Sequence, residues 1–426
     1  MSNQGNIPEL LSPARDREAF LAAVAAGSDA IYCGVTGGLN ARRKAAGISP
    51  GELPVLCGLA HAHGVRVYVA MNIAVGQAEL AGAVEAARSV LAAGADALII
   101  QDLGFMAEVR REIPEAEIHV STQANVHDAR GVRLCERLGA SRVTLSRELP
   151  LPEIASIAAE TSAELEVFSH GAICPSYSGV CMLSSFLREG RSPNRGLCAQ
   201  PCRLPFDLVG EEGMRLQLSE RERALCTHDN CVAEHVAELA EAGVASLKLE
   251  GRMKPAAYVW AVTSAYRAAL DELTGVHGAA EGLPFEPARM LKRTFNRGLT
   301  SAYLAGTSGN ELMSYERSGN RGELVGVVSG FEPEPGFVPR DGQQLRGTVF
   351  VALEKPVGEG DSIELRPLDD PERFLVVRAP RTAVAGETLA CACPRPMAAG
   401  CEARLTKSVE LENAAARAVM ALEQEL

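Results

Sequence analysis

The sequence predicts an α/β chain: a (β/α)8 TIM-like barrel with a cysteine-rich insertion after its seventh strand, followed by a small antiparallel β module. Three observations predict it. Between Glu9 and Arg252 one unit recurs: an Ala-rich amphipathic stretch, a Gly, then a short aliphatic or β-branched run. The run Leu165 to Phe168 breaks into a long loop carrying Cys174, Cys181, Cys198 and Cys202. Beyond Glu323 the hydrophobic period changes to two, around Gly and Pro turns.

In chain order, the first strand falls on Leu10 and Leu11. Gly27 precedes Ala30 to Cys33, Gly64 precedes Val65 to Ala70, and Gly94 precedes Ala97 to Ile100. Gly139 precedes Val143 to Leu145, and Gly243 precedes Leu247 to Leu249. A Gly there supplies the left-handed residue of a helix C-cap, so each unit reads helix, stop, buried strand. Ile118 to Val120 and Leu165 to Phe168 bring the strands to eight. An open doubly wound sheet shares this local pattern, so closure is an expectation. Pro255 to Leu273 is an amphipathic helix suited to closing the wall. The barrel is therefore assigned to residues 1–273, with the cysteine loop at 171–231, and a linker with a helical, basic segment to 274–322. Within that segment Lys292, Arg293 and Arg297 interleave with Phe295 and Tyr303, which suits a nucleic-acid contact. A solvated helix end with two core aromatics would have the same composition. Residues 323–426 form the β module, with strands at Leu324 to Val328, Thr348 to Leu353, Ser362 to Leu365 and Phe374 to Val377. A terminal helix follows, with Ser408 as cap and Glu410 and Glu412 in the first turn, where the helix dipole favours them.

The 426 residues are 47% hydrophobic and 23% charged, ordinary globular composition with material for a large core. The start shows no basic segment leading into an apolar one, and no apolar run reaches about 18 residues, so a soluble cytoplasmic protein without membrane contact is expected. In that compartment the twelve cysteines are not expected in disulfides, and clustered ones point to ligands or catalysts. A net charge of −12 argues against a general polyanion binder, although a local basic patch can still bind RNA. Absence of H-E-x-x-H, G-x-S-x-G, P-loop and dinucleotide signatures weighs against a conventional protease or NTPase.

Working residues of such barrels stand just beyond the C-terminal strand ends. These ends carry Ser12, Asn72, Gln101, Asp102, Ser121, Gln123, Asn125, Ser146, Arg147, Glu148, Ser169, His170, Glu250 and Arg252, and the cysteine loop joins them on the same face. His170 is the acid/base candidate, since its ordinary pKa lies near neutrality; a structural role on the loop backbone is the alternative. Arg147 and Glu250 are further catalytic candidates. Arg147 and Arg252 can clamp a carboxylate or phosphate, with Lys248 and Lys254 nearby, unless they pair with Glu148 and Glu250. Asn72, Gln123 and Asn125 are substrate-binding candidates, the last two placed on one side by strand alternation. The spacing C-x6-C-x16-C-x3-C suits soft thiolate ligation but matches neither a zinc ribbon nor a short ferredoxin run. Iron–sulfur, zinc and plain thiols all stay open. Cys33, Cys57 and Cys135 read as core, while Cys226 and Cys231 lie where one could replace a loop ligand.

The stretches ELLSPA, STQANV, TLSRELPLPEI, HGAICPSYSGVCMLSS, RGLCAQPCR, SLKLEGRMK and FNRGLTSAYLAG together resemble the U-32 peptidase family, the collagenase-like peptidases. Despite the family's peptidase name, the resemblance implies oxygen-independent hydroxylases. Some act on a tRNA wobble uridine with prephenate as hydroxyl source, others on a ribosomal cytidine or a ubiquinone precursor. It implies a 4Fe–4S cluster on Cys174, Cys181, Cys198 and Cys202, with Cys231 as the counterpart of the fourth ligand in the ubiquinone branch. Ubiquinone-branch members resemble bare barrels and ribosomal members are longer, so a barrel with one β module points to tRNA uridine 5-hydroxylation. The partners implied are tRNA and prephenate, with a partner protein or a homo-oligomer also open.

Overall fold

Eight parallel strands close on themselves: β1 (Glu9–Ala14), β2 (Ala30–Cys33), β3 (Arg66–Met71), β4 (Ala97–Ile100), β5 (Ile118–Val120), β6 (Arg142–Thr144), β7 (Glu164–Ala172) and, past a short strand β8 (Asp229–Cys231), β9 (Val244–Leu249). Strand β9 pairs with both β7 and β1, which completes the barrel. The computed structural model describes residues 7–41, 46–207, 209–214, 223–275, 280–340, 344–370 and 373–426. Parts of the expected cysteine loop (208 and 215–222) and linker (276–279) lie outside the described residues.

Each expected barrel strand is present, with ends shifted by up to four residues. Gly27, Gly64, Gly94, Gly139 and Gly243 all have positive φ, as helix-to-strand stops require. The outer helices are α1 (Arg17–Ala25), α2 (Leu53–Ala62), α3 (Leu80–Ala92), α4 (Leu103–Glu112), α5 (Ala129–Arg137) and α6 (Leu151–Glu160), then a short α7 (Leu183–Leu187) in the cysteine loop, α8 (Val236–Glu241) and α9 (Ala256–Leu273). Carboxylates start three of them: Asp16, Asp102 and Asp128 accept the backbone N–H groups of Ala19, Phe105 and Gly131.

The barrel interior is layered. At the strand N-termini, buried Arg142 pairs with Glu9 and Glu164, and Tyr68 Oη donates to Glu9 at 2.7 Å. Leu11, Ala30, Tyr32, Ala97 and Ile99 form an apolar layer. Glu166, fully buried, accepts Lys248 Nζ and Thr144 Oγ1, each at 2.6 Å, and Ser246 Oγ at 3.2 Å. Burial of that carboxylate would raise its pKa, but Lys248 and Arg142 outweigh the desolvation and pull it down to about 2.

Two short strands at the barrel rim, and two more in the C-terminal sheet, lie outside the expected set. β7 runs past the barrel rim and pairs antiparallel with β8, which pairs in turn with β10 (Leu299–Thr300), following helix α10 (Pro287–Arg293). Gly171 permits this departure: at φ +100° an added Cβ would lie 2.6 Å from the Glu250 carbonyl oxygen. The C-terminal strands β11 (Glu323–Pro333), β12 (Gly347–Leu353), β13 (Ser362–Arg366), β14 (Leu375–Arg378), β15 (Thr388–Cys393) and β16 (Glu402–Lys407) form an antiparallel sheet in the order β14-β13-β16-β11-β12-β15, nearly closed by β14 returning beside β15. The terminal helix α11 (Val409–Glu423), expected with this module, instead joins the barrel: Leu411, Ala415, Val419 and Leu422 enter the barrel's core, against α1 and α9. Ser408 does not cap it; Asp361 Oδ1 accepts the Val409 N–H at 2.8 Å, while the Ser408 hydroxyl is buried without a hydrogen bond.

Candidate functional site

The C-terminal strand ends open into a cavity of about 420 Å³, roofed by the loop after β7. Lys248, Tyr32 and Thr144 line its floor, Asn72, Ser121 and Gln123 one wall, and Arg147, Glu250 and Arg252 the rim. The Lys248 ammonium lies 4.6 Å from the Tyr32 ring centroid and the Arg252 guanidinium 5.4 Å from it, so one aromatic ring carries two cations.

The roof is tied down by side chains from several strand ends. Ser178 donates its N–H and hydroxyl to Glu148 Oε1 at 2.7 and 3.1 Å, and its oxygen accepts the Arg147 N–H and Nε at 3.2 Å. Gly179 crosses the backbone of Gln123 so closely that a Cβ would lie 2.1 Å from the Gln123 carbonyl oxygen, and its φ of +78° suits glycine. Arg195 pairs with Glu79 at 2.6 Å. Arg203 Nη2 donates to the Ile173 carbonyl at 2.9 Å and Nη1 to the Thr227 carbonyl at 3.0 Å, joining the two ends of the insertion.

Cys174, Cys181, Cys198 and Cys202 all line this cavity, and none is in a disulfide. Donors reach two of the sulfurs: Arg147 Nη1 lies 3.4 Å from Cys174 Sγ, and the Gln200 N–H 3.4 Å from Cys198 Sγ. Gln200 takes a left-handed φ of 55° in presenting that N–H. Burial pushes the Cys202 thiol up to about 11 against the pull of Arg203, and Cys174 and Cys198 are near enough to add to the rise. Among the described residues no three His, Cys, Asp or Glu side chains converge tightly enough for a single metal ion. Four soft donors around a cavity rather than a point fit a polynuclear cluster with its own volume, and N–H···S contacts are the kind that stabilise thiolate ligands.

A model of peptidase family U32 matches residues 15–314. The chain belongs to peptidase family U32. Its curated relatives include the 23S rRNA 5-hydroxycytidine C2501 synthase of Escherichia coli, 36% identical over 84% of this chain. The chain spans about half of that enzyme, 52% of its length. The tRNA hydroxylation protein P of Escherichia coli is 31% identical, over 84% of this chain and 86% of its own. A collagenase of Porphyromonas gingivalis is 29% identical, over 76% of this chain and 80% of its own.

In this U32 protein Arg147, Glu250, Asn72, Gln123, Arg252 and the four loop cysteines meet in one cavity, as their strand-end positions predict. Arg147 is not paired off with Glu148, whose Oε1 is engaged by Ser178. Four expectations need correction. His170 faces away from the cavity, buried between β7 and α9, its ring 5.6 Å from Tyr266 and 6.2 Å from Tyr258; desolvation pulls its pKa down to about 4. The irregularity of β7 between Phe168 and His170 turns the side chain outward. Asn125 does not share a side with Gln123: β5 ends at Val120, a 3-10 turn follows, and Asn125, at φ 57°, accepts Ser146 Oγ at 3.2 Å. Cys231 lies outside this cavity and lines a larger one of about 790 Å³ on the outer wall, among α9 and α10 alanines. Glu234, His235, Glu272 and Lys292 also line that volume, but none of Cys174, Cys181, Cys198 and Cys202 does. Finally, the basic segment is largely internal. Arg293 pairs with Glu323 at 2.7 Å and Arg297 with Asp229 at 3.0 Å, while Lys254 sits on the Phe295 ring, its pKa lowered to about 7 by burial and by Arg297. Lys254 is therefore a packing cation behind the rim.

Sequence reasoning missed Ser178, the bridge between Arg147 and Glu148, and Asn194, a lining residue whose side-chain carbonyl is buried without a hydrogen bond. Both belong to the insertion, where no periodicity announces which residues turn inward. Tyr32 could have been found from the alternation of its strand.

Proposed function

We propose that this chain is an oxygen-independent RNA hydroxylase that 5-hydroxylates tRNA wobble uridine, with prephenate as hydroxyl source and a 4Fe–4S cluster on Cys174, Cys181, Cys198 and Cys202. The observation carrying the reading is that four thiols outside any disulfide and the cationic groups of Arg147, Lys248 and Arg252 share one cavity at the barrel mouth. Prephenate is a dianion, and guanidinium groups bind carboxylates bidentately. Lys248 is engaged with Glu166, and Arg147 and Arg252, which line the same cavity, form the clamp. A bound cluster would supply Lewis-acid and one-electron capacity beside that anion. Asn72 and Gln123 give the same space neutral donors and acceptors for a base edge. Among the described residues no histidine lines the cavity, so a Cys–His or Ser–His hydrolytic pair has no support there.

A second reading, hydroxylation of a ribosomal cytidine, is favoured by the 36% identity to the rRNA enzyme. The test is to incubate the anaerobically prepared full chain with prephenate and either tRNA or 23S rRNA, and to digest and weigh the nucleosides. 5-Hydroxyuridine in tRNA supports the first reading and 5-hydroxycytidine in rRNA the second. Peptide cleavage with neither product overturns both. Hydroxylation left intact in both Arg147→Ala and Arg252→Ala sinks the clamp.

A further inference from the structure

We propose that the tip of the cysteine loop is a stacking platform that receives an unpaired nucleobase of single-stranded RNA and leads it into the barrel cavity. The inference deepens the RNA-hydroxylase reading and rests on it. Tyr177, Met182 and Phe186 border the cavity, yet they are 70%, 61% and 82% exposed. Large apolar side chains grouped at a cavity's mouth are costly to leave in water, and such a group marks a contact surface.

Charge decides what kind of partner. Arg188 and Arg191 lie two and five residues after Phe186, and no ion pair holds either among the described residues, against a single neighbouring acid, Glu189. The more obvious basic segment is internal, with Arg293 and Arg297 tied to acids. On a chain of net charge −12, a local pair of unneutralised guanidiniums beside exposed aromatics matches a phosphate backbone with stacked bases. Asn194 lines the same cavity, and its side-chain carbonyl is buried without a hydrogen bond, an acceptor that a pyrimidine N–H can satisfy. Duplex RNA cannot use this arrangement, since its bases are already stacked on one another.

The experiment measures fluorescence anisotropy of a labelled hairpin with an unpaired uridine-containing loop, and of a fully paired duplex, against the anaerobically prepared full chain. The hairpin should bind more tightly than the duplex. Phe186→Ala and Tyr177→Ala should each weaken hairpin binding about 5- to 150-fold, the range for one lost base–aromatic stack, and Phe186→Trp should restore it. Arg188→Glu with Arg191→Glu should flatten the salt dependence by a slope of about 1.4, for two phosphate contacts on a single strand. Wild-type hairpin binding left unchanged in the aromatic variants overturns the platform while sparing the RNA reading. A wild type that neither binds nor modifies any RNA overturns both. Self-association of the wild type in sedimentation, lost in Phe186→Ala without any change in RNA binding, would identify the patch as a contact between copies and also overturns the proposal.

Discussion

Replacing Glu166 by Gln removes the counter-charge from the centre of the barrel while keeping shape and most hydrogen bonds. The carboxylate is fully buried, receives Lys248 at 2.6 Å and lies 3.6 Å from Arg142. Burial already lowers the Lys248 pKa, and Arg252 and Arg142 lower it further; Glu166 is what opposes them. Breaking one side of a buried pair costs about 3–5 kcal/mol, because the remaining charge stays desolvated. For a domain of this size that corresponds to a fall in Tm of roughly 6–20 °C. The pH dependence gives an independent reading. The folded pKa of Glu166, about 2, lies below its unfolded value of 4.5, so its contribution is present above pH 4.5 and is lost as pH falls toward 2. The difference in stability between wild type and Glu166→Gln, from urea titrations at several pH values, should shrink by about 3 kcal/mol across that window. Glu166→Leu combined with Lys248→Met should recover much of the loss, since an apolar pair of similar volume removes both desolvation costs. Equal Tm and parallel pH curves for wild type and Glu166→Gln would refute the reasoning.

Other consequences can be measured alongside. Single Ala variants of Cys174, Cys181, Cys198 and Cys202 should each lose bound iron and broad absorption near ~400 nm, whereas Cys231→Ala should keep them; loss with Cys231→Ala would move the ligand set. Gly179→Ala should lower iron per chain by forcing the roof off Gln123 and by occupying a left-handed conformation that costs about 1–2 kcal/mol, with little change in barrel Tm. His170→Phe should leave the pH profile of any activity unchanged above about pH 5, because the imidazole is neutral there. The same variant should be less acid-sensitive: His170 has a folded pKa near 4, below its unfolded 6.5, so wild-type stability falls by about 3 kcal/mol as pH drops between them.

Most of the barrel is legible along the chain because its cause is local. A glycine with positive φ ends each of several helices, and the aliphatic run after it can be satisfied only by burial. Of the four strands outside the expected set, β8 reads Asp-Asn-Cys and β10 has two residues, too polar and too short to carry a period, while β15 and β16 lie past the last strand read from the sequence. The terminal helix was assigned to its sequence neighbours, but its apolar face is completed by α1, which lies at the opposite end of the chain.

For the site, the sequence by itself determined which strand ends are polar, that four cysteines follow the seventh strand, and that both lie on one face of a barrel. It could not determine orientation beyond the regular elements. The bulge in β7 turned His170 into the wall, the end of β5 at Val120 separated Asn125 from Gln123, and buried acids claimed Arg293 and Arg297. Each outcome depends on groups distant in sequence: α9 for His170, Glu323 for Arg293, Asp229 for Arg297. Periodicity is a property of one segment, whereas pairing and desolvation are properties of what that segment meets, and that is decided when the chain closes on itself.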